Sequence, residues 1–247
     1  MGGDGNRPSP DDSWTGGSSI NWSDGGNWTG STPSPANTVG FNVAGAINQP
    51  TLDVDPTVAG LLMNSTGNNT LTLNNHTLTI TGLATQSGGI LTGAGAVVAA
   101  TYNLTGGTIA PGNGIGTIAF TGNFAQGGGS TYQVDVNASG QSDRITITGT
   151  ATLSGGTVAV QAANGSYQRS TTYTILTAGT VTGTYGNVTS NFAFLAPTLT
   201  YSPTAVMLTL LSTGNSFQNG AQTPNQRAVG QVLDQASPSA TGDFAPC

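Results

Sequence analysis

The 247 residues contain no lysine and no glutamate. The only cations are Arg7, Arg144, Arg169 and Arg227, every acid is an aspartate, and the net charge is −6. Four scattered arginines cannot follow a phosphate backbone, which excludes nucleic acid as a partner. A basic amphipathic stretch that would hold an anionic membrane surface is also missing. No apolar run approaches the roughly 18 residues of a membrane-crossing helix. The first twelve residues, MGGDGNRPSPDD, have no apolar centre, so no signal peptide is expected within this chain, and 1–12 reads as a disordered segment. The one cysteine, Cys247, excludes a disulfide framework. A chain exported unfolded into an oxidising compartment benefits from having few thiols, a mild pointer to export. One histidine and one cysteine cannot build a zinc cluster. No calcium loop or glycine–aspartate repeat replaces it. No metal and no cofactor are expected.

What is present is threonine, glycine, asparagine and serine, with about a third of the residues apolar. Good helix formers are scarce while β-branched and turn residues abound, which is an all-β palette. Between residues 51 and 211 short alternating strands are separated by Gly/Asn/Ser turns. TLTL and LTIT direct Leu71, Leu73, Leu78 and Ile80 to one face. YQVDV does so with Tyr132, Val134 and Val136, RITIT with Ile145 and Ile147, and TVAV with Val158 and Val160. TYTI and VMLTLL continue with Tyr173, Ile175, Val206, Leu208 and Leu210. SGGIL (87–91), TGGTI (105–109) and SGGTV (154–158) repeat a small residue, two glycines and a strand. Strand, glycine corner and strand, at about 20 residues per circuit, describe a parallel β-helix whose coils bury their inward side chains on each other. A β-sandwich of short strands is the rival architecture.

All three tryptophans, Trp14, Trp22 and Trp28, lie within one short N-terminal stretch. A solenoid ends in a row of unpaired backbone groups, so these rings are read as a cap over the first coil, with a sugar-stacking surface as the alternative. At the other end TPNQRAVGQVLDQA reads as a short helix. Thr223 is its N-cap, Pro224 its first residue, Gln226 the return arm of a capping box, and Ala228, Val229, Val232 and Leu233 an apolar stripe.

A catalytic constellation is not legible. His76, in NNHTLTI, falls at a turn where the apolar phase flips, and a Ser-His-Asp triad would need a serine and an aspartate converging on it. Asp53 and Asp55 could approach from a neighbouring coil, but no G-x-S-x-G elbow occurs. Asp53 with Asp55, or Asp135 with Asp143, is conceivable as a carboxylate pair for glycoside cleavage. The cations and glutamates that usually line such a groove are scarce, so Asp53 and Asp55 read as a solvated outer face. Asp143–Arg144 reads as a local ion pair or turn. The chain is expected not to be an enzyme, and no catalytic, cofactor-binding or metal-binding residue is assigned.

Two stretches resemble a known family. WTGGSSINWSDGGNWTGSTPSPANTVGF (14–41) resembles the opening of bacterial autotransporter passenger domains. Residues 106–211 resemble the passenger's C-terminal, autochaperone-like end, through APGNGIGT, STYQVDVN, SDRITITG, YTILTAG and F-x-x-L-x-P-T-L-x-Y. NQRAVGQVLD is similar to the helix that leads into the translocating barrel. The resemblance implies a right-handed parallel β-helix at the cell surface, outer membrane or outside the cell, exported by type V secretion. It implies a partner β-barrel, which in the family follows where this chain stops at Cys247. The expected organisation is a disordered 1–12, cap and coils over 13–105, autochaperone-like coils over 106–212, and a pre-barrel linker with helix and tail over 213–247. Phe120, Tyr132, Ile145, Tyr173, Phe192 and Tyr201 are its expected folding core. The function read from this is an adhesive or self-associating surface stalk, with itself or a host ligand as partner. Alternatives are a free-standing protein stacking into filaments and a polysaccharide-active enzyme.

Overall fold

The computed structural model describes residues 10–41, 46–64, 69–165, 167–192, 195–212 and 223–236. Strands form where the alternation lies. They are β1 (Asp12–Ser13), β2 (Thr38–Phe41), β3 (Thr57–Val58), β4 (Gly60–Met63), β5 (Thr70–Thr72), β6 (Thr77–Ile80), β7 (Ala84–Thr92) and β8 (Gly95–Ala110). They continue as β9 (Thr117–Val136), β10 (Arg144–Ser154), β11 (Thr157–Ala162), β12 (Ser170–Thr184), β13 (Asn187–Ser190), β14 (Leu195–Ser202) and β15 (Ala205–Ser212). The helix α1 spans Pro224–Ala236. A side chain that alternates in and out buries its apolar half only if another layer covers it, and here each circuit covers the previous one.

The result is a parallel β-solenoid of about six turns with three strand faces. The first stacks Val39, Leu61, Ala84, Tyr102, Phe124 and Ala151. The second stacks Leu71, Leu91, Ile109, Tyr132, Val158 and Val188. The third stacks Leu78, Val97, Phe120, Ile147 and Ala178. Circuits are uneven, 18 residues from Ala84 to Tyr102 but 30 from Ala151 to Val181. The inward residues read from the alternation are buried, and they belong to one apolar core running from Trp14 to Leu210. The expected boundary at 105/106 falls inside β8, so the core has no break there. Asp12, expected within the disordered segment 1–12, already belongs to the first coil.

The repeated glycine motifs are the corner between the first and second faces, stacking through Ser87, Gly106 and Gly129, with Ser154 over Gly127. Strands as long as β9, 20 residues, span two corners without interruption. The corner at Gly122 demands glycine: φ is +115°, and a Cβ there would overlap the Ala99 carbonyl of the coil below.

The C-terminal end departs from the expected parallel coil. β15 pairs antiparallel with both β12 and β14. A two-residue turn, Pro203–Thr204, can only return the chain antiparallel, because a parallel neighbour needs a full circuit. The turn carbonyls of Pro203 and Thr204 accept from Val181 N and Ala178 N, closing part of the last coil's open edge. Helix α1 starts as expected: Thr223 Oγ1 accepts from Gln226 N, and Gln226 Oε1 accepts from Thr223 N. Its Val229 and Val232 are exposed. The stretch 213–222, the tail 237–247, residues 1–9 and Phe194 lie outside the described residues.

One rung breaks the apolar rule. Gln86, Leu104, Gln126 and Leu153 follow one another in register, all buried. The Gln86 amide is satisfied, donating to Gly89 O and Thr108 O and accepting from Tyr102 OH at 2.8 Å. The Gln126 amide, 1% exposed, has a partner for neither its nitrogen nor its oxygen among the described residues. A buried unpaired group costs about 1–3 kcal/mol. Leucine occupies the rungs on both sides, so Gln126→Leu is expected to raise the denaturant midpoint by about 1–2 kcal/mol of stability at constant m. A lower midpoint would show that the amide is paired.

Candidate functional site

The tryptophan stretch is short of secondary structure, so its position depends on side chains. Asp24 caps a single 3-10 turn, Gly25–Asn27, and the buried Asn27 amide accepts from Ser18 N and Ser19 N and donates to Ser19 Oγ and Asn21 O. These bonds bring Trp14, Trp22 and Trp28 into one edge-to-face cluster at the start of the solenoid. Trp28 lies 5.1 Å from Trp14 and 4.7 Å from Trp22, with Phe41 against all three. Trp14 Nε1 donates to Asn48 O and Trp28 Nε1 to Trp22 O. All three rings are at most 5% exposed, so none offers the open face that stacking on a sugar requires. The Asp12 carboxylate ties the stretch down, accepting from Thr29 Oγ1 and Gly30 N.

Of the residues expected as the C-terminal core, Phe120, Tyr132, Ile145 and Tyr173 are buried. Phe192 and Tyr201 are only partly buried and pack on the core's edge. Phe120 joins Tyr102 and Phe124 in one aromatic group, and Tyr132 OH donates to Ile175 O at 2.7 Å.

Chemistry-bearing side chains meet at one corner of the N-terminal coils. Leu52 and Leu73 are buried, and the turns that follow them project outward on successive circuits. Asn74 and Asn75 take left-handed backbone, φ 49° and 66°, which asparagine tolerates, and this turns His76 toward the coil below. His76 Nδ1 lies 3.0 Å from Asp55 Oδ1, which also accepts from Thr77 N. One circuit further down, Ser23 N and Ser23 Oγ donate to the two oxygens of Asp53, the hydroxyl at 2.5 Å. The bond from Thr77 N, followed by the His76 ring, holds the Asp55 carboxyl below its ordinary value. Partial burial pulls Asp53 upward, but the Ser23 bonds outweigh it and leave it lowered. The outer face expected for Asp53 and Asp55 holds, with Asp55 exposed and Asp53 half-buried, and each aspartate also has a side-chain partner.

This corner contains half of a triad. A carboxylate holding imidazole Nδ1 is what orients a catalytic histidine, whose Nε2 would then face a serine. Ser23 Oγ is instead turned to Asp53, so the hydroxyl is not activated by His76 in this arrangement. The sequence offers both Asp53 and Asp55 to His76 from the neighbouring coil, and the structure selects Asp55, a choice that circuits of varying length leave open. No group of three metal-ligating side chains occurs among the described residues.

Asp143 is corrected. It does not pair with Arg144, whose Nε donates to Thr174 O. It is 1% exposed and clasps two backbone segments, accepting from Gly116 N at 2.8 Å and Asp135 N at 2.9 Å. Burial pushes its carboxyl up to about 7, against the pull of those two bonds, with the Asp135 charge adding to the rise.

No family model matches the chain. Part of it is 34% identical over 152 residues to the extracellular serine protease of Serratia marcescens, covering 56% of this chain and 14% of that protein. The chain thus spans a small share of the relative's length. The relative is extracellular, which is consistent with a secreted or surface location for this chain. The expectation that the chain is not an enzyme is overturned by this similarity, since the protein it matches is a protease.

Proposed function

We propose that this chain is the β-solenoid arm of an exported, cell-surface or secreted passenger of the autotransporter kind, with its C-terminal coils as the folding nucleus. The observation that carries the reading is the continuous core from Trp14 to Leu210 in a chain matching part of an extracellular protein. In a one-dimensional stack starting costs more than adding, so the first well-filled coils set the rate. The aromatic group of Tyr102, Phe120 and Phe124, with Tyr132 bonded across to Ile175, fills the middle and C-terminal coils. The arm works as a stiff spacer, and adhesion through its outer face is part of the same proposal. In cells producing the full-length gene product, protease added to intact cells is expected to reach this segment, and deletion of residues 106–211 to abolish its folded, protease-resistant form. Recovery from the cytosol, or full surface folding without 106–211, would sink the reading.

A second reading is favoured by the Asp55–His76 contact together with the protease named above. On this reading the N-terminal corner takes part in hydrolysis, with Ser23 swinging from Asp53 to His76. A serine-directed fluorophosphonate should then label Ser23 in the full-length product and fail to label the His76→Ala variant. Labelling that persists in that variant, or none at all, removes this reading.

A further inference from the structure

The loop between β8 and β9, APGNGIG, carries an Asn-Gly step whose surroundings differ from its counterparts. Gly112 is folded back on the loop's end, where a Cβ would approach Gly116 N to 2.8 Å. This makes Asn113–Gly114 the exposed tip of a closed turn. Gly114 has φ +95° and open space where a Cβ would stand. No backbone hydrogen bond among the described residues uses its N–H. The chain has two other Asn-Gly steps. In Asn164–Gly165 a Cβ on the glycine would sit 3.0 Å from Ala138, and Asn164 has a bonding partner. Asn219–Gly220 lies outside the described residues.

We propose that Asn113 is a site of spontaneous amide-to-acid conversion, and that the new charge acts on the Asp143 clasp. The Gly114 backbone nitrogen attacks Asn113 Cγ. The ring N–C bond forms, the Cγ–Nδ2 bond breaks, and the displaced nitrogen leaves as ammonia with the proton lost from Gly114. Water then opens the cyclic imide at either carbonyl, leaving aspartate or isoaspartate at 113. The net reaction consumes one water and releases one ammonia, and the chain's charge falls from −6 to −7. The converted residue stands three positions before Gly116, whose N–H holds Asp143 Oδ1 at 2.8 Å. The charged and titratable groups around that clasp are Asp143, Asp135, Arg144 and Tyr132. A further negative charge beside two aspartates and one arginine works against ionised Asp143, so conversion weakens the clasp where Asp143 is charged.

The test is incubation of the purified full chain at mildly alkaline pH, followed by peptide mapping and isoaspartyl methyltransferase labelling over time. Residue 113 is expected to convert first, with a one-charge acidic shift that Asn113→Gln abolishes and Asn164→Gln leaves intact. Faster conversion at Asn164 or Asn219, or an unchanged residue 113, overturns the site. For the coupling, Asn113→Asp is expected to lower the unfolding midpoint at alkaline pH, with a deficit that shrinks on acidification. A midpoint equal to that of the parent chain at both ends of the range overturns the coupling and leaves the site standing.

Discussion

Replacement of Trp28 by alanine is expected to cost about 3–5 kcal/mol, the range for emptying a large aromatic from a packed interior. Trp28 is the ring shared by the N-terminal cluster: it touches Trp14, Trp22 and Phe41 and returns a hydrogen bond to the Trp22 carbonyl. Its loss removes edge-to-face contacts on two sides and leaves the Trp22 carbonyl without that donor. Trp28→Phe keeps most of the buried area and loses the N–H, so a smaller loss, about 1–2 kcal/mol, separates packing from the bond. Because coils touch only their neighbours, the damage should be local. Native-state hydrogen exchange is expected to lose protection in the first coils, residues 12–63, and to keep it across 117–162. Uniform loss along the chain would mean that the solenoid unfolds as one unit and that the tryptophans support all of it.

Asp143→Ala is the second large effect, about 2–4 kcal/mol, because it strips the acceptor from two half-buried N–H groups, those of Gly116 and Asp135. Its pH dependence has an unusual sign. Burial raises the folded carboxyl from the ordinary 3.8 to about 7. Between those values the folded chain holds a proton that the unfolded chain has released, so stability from this group rises as pH falls from about 7 toward 4 and is lost above it. Asp24, Asp53 and Asp55 act oppositely, since their carboxyls are lowered and their contribution disappears on acidification. The difference between the parent chain and Asp143→Asn, measured as denaturant midpoint against pH, isolates the Asp143 part. The parent is expected to gain on the variant as pH falls through 7. A gap that closes on acidification would mean that Asp143 is ionised and needed as the anion.

Local readings survived because their causes are local. Alternation over TLTL, YQVDV or VMLTLL is a property of a pleated backbone and fixed which side chains point inward before any partner was known. The Thr223–Gln226 capping box lies within four consecutive residues and was legible for the same reason. The glycine pairs marked corners, because only glycine passes under the coil below at such φ values. The gathering of the tryptophans at one end is written in the chain itself.

The exact stacking register was not legible: the sequence offered both Asp53 and Asp55 to His76 and did not choose between them. His76 reaches Asp55 across 21 residues, Asp12 reaches Gly30 across 18, and Asp143 reaches Gly116 across 27. Circuits of 18 to 31 residues give no fixed period from which to predict those meetings. The same alternation also serves antiparallel and parallel neighbours, so the final β14–β15 hairpin looked like one more coil. Sequence alone therefore determined a β-solenoid with an aromatic start and a capped terminal helix. Tertiary structure decided which polar groups lie inside it: an aspartate became a buried clasp, and a glutamine took a leucine's rung.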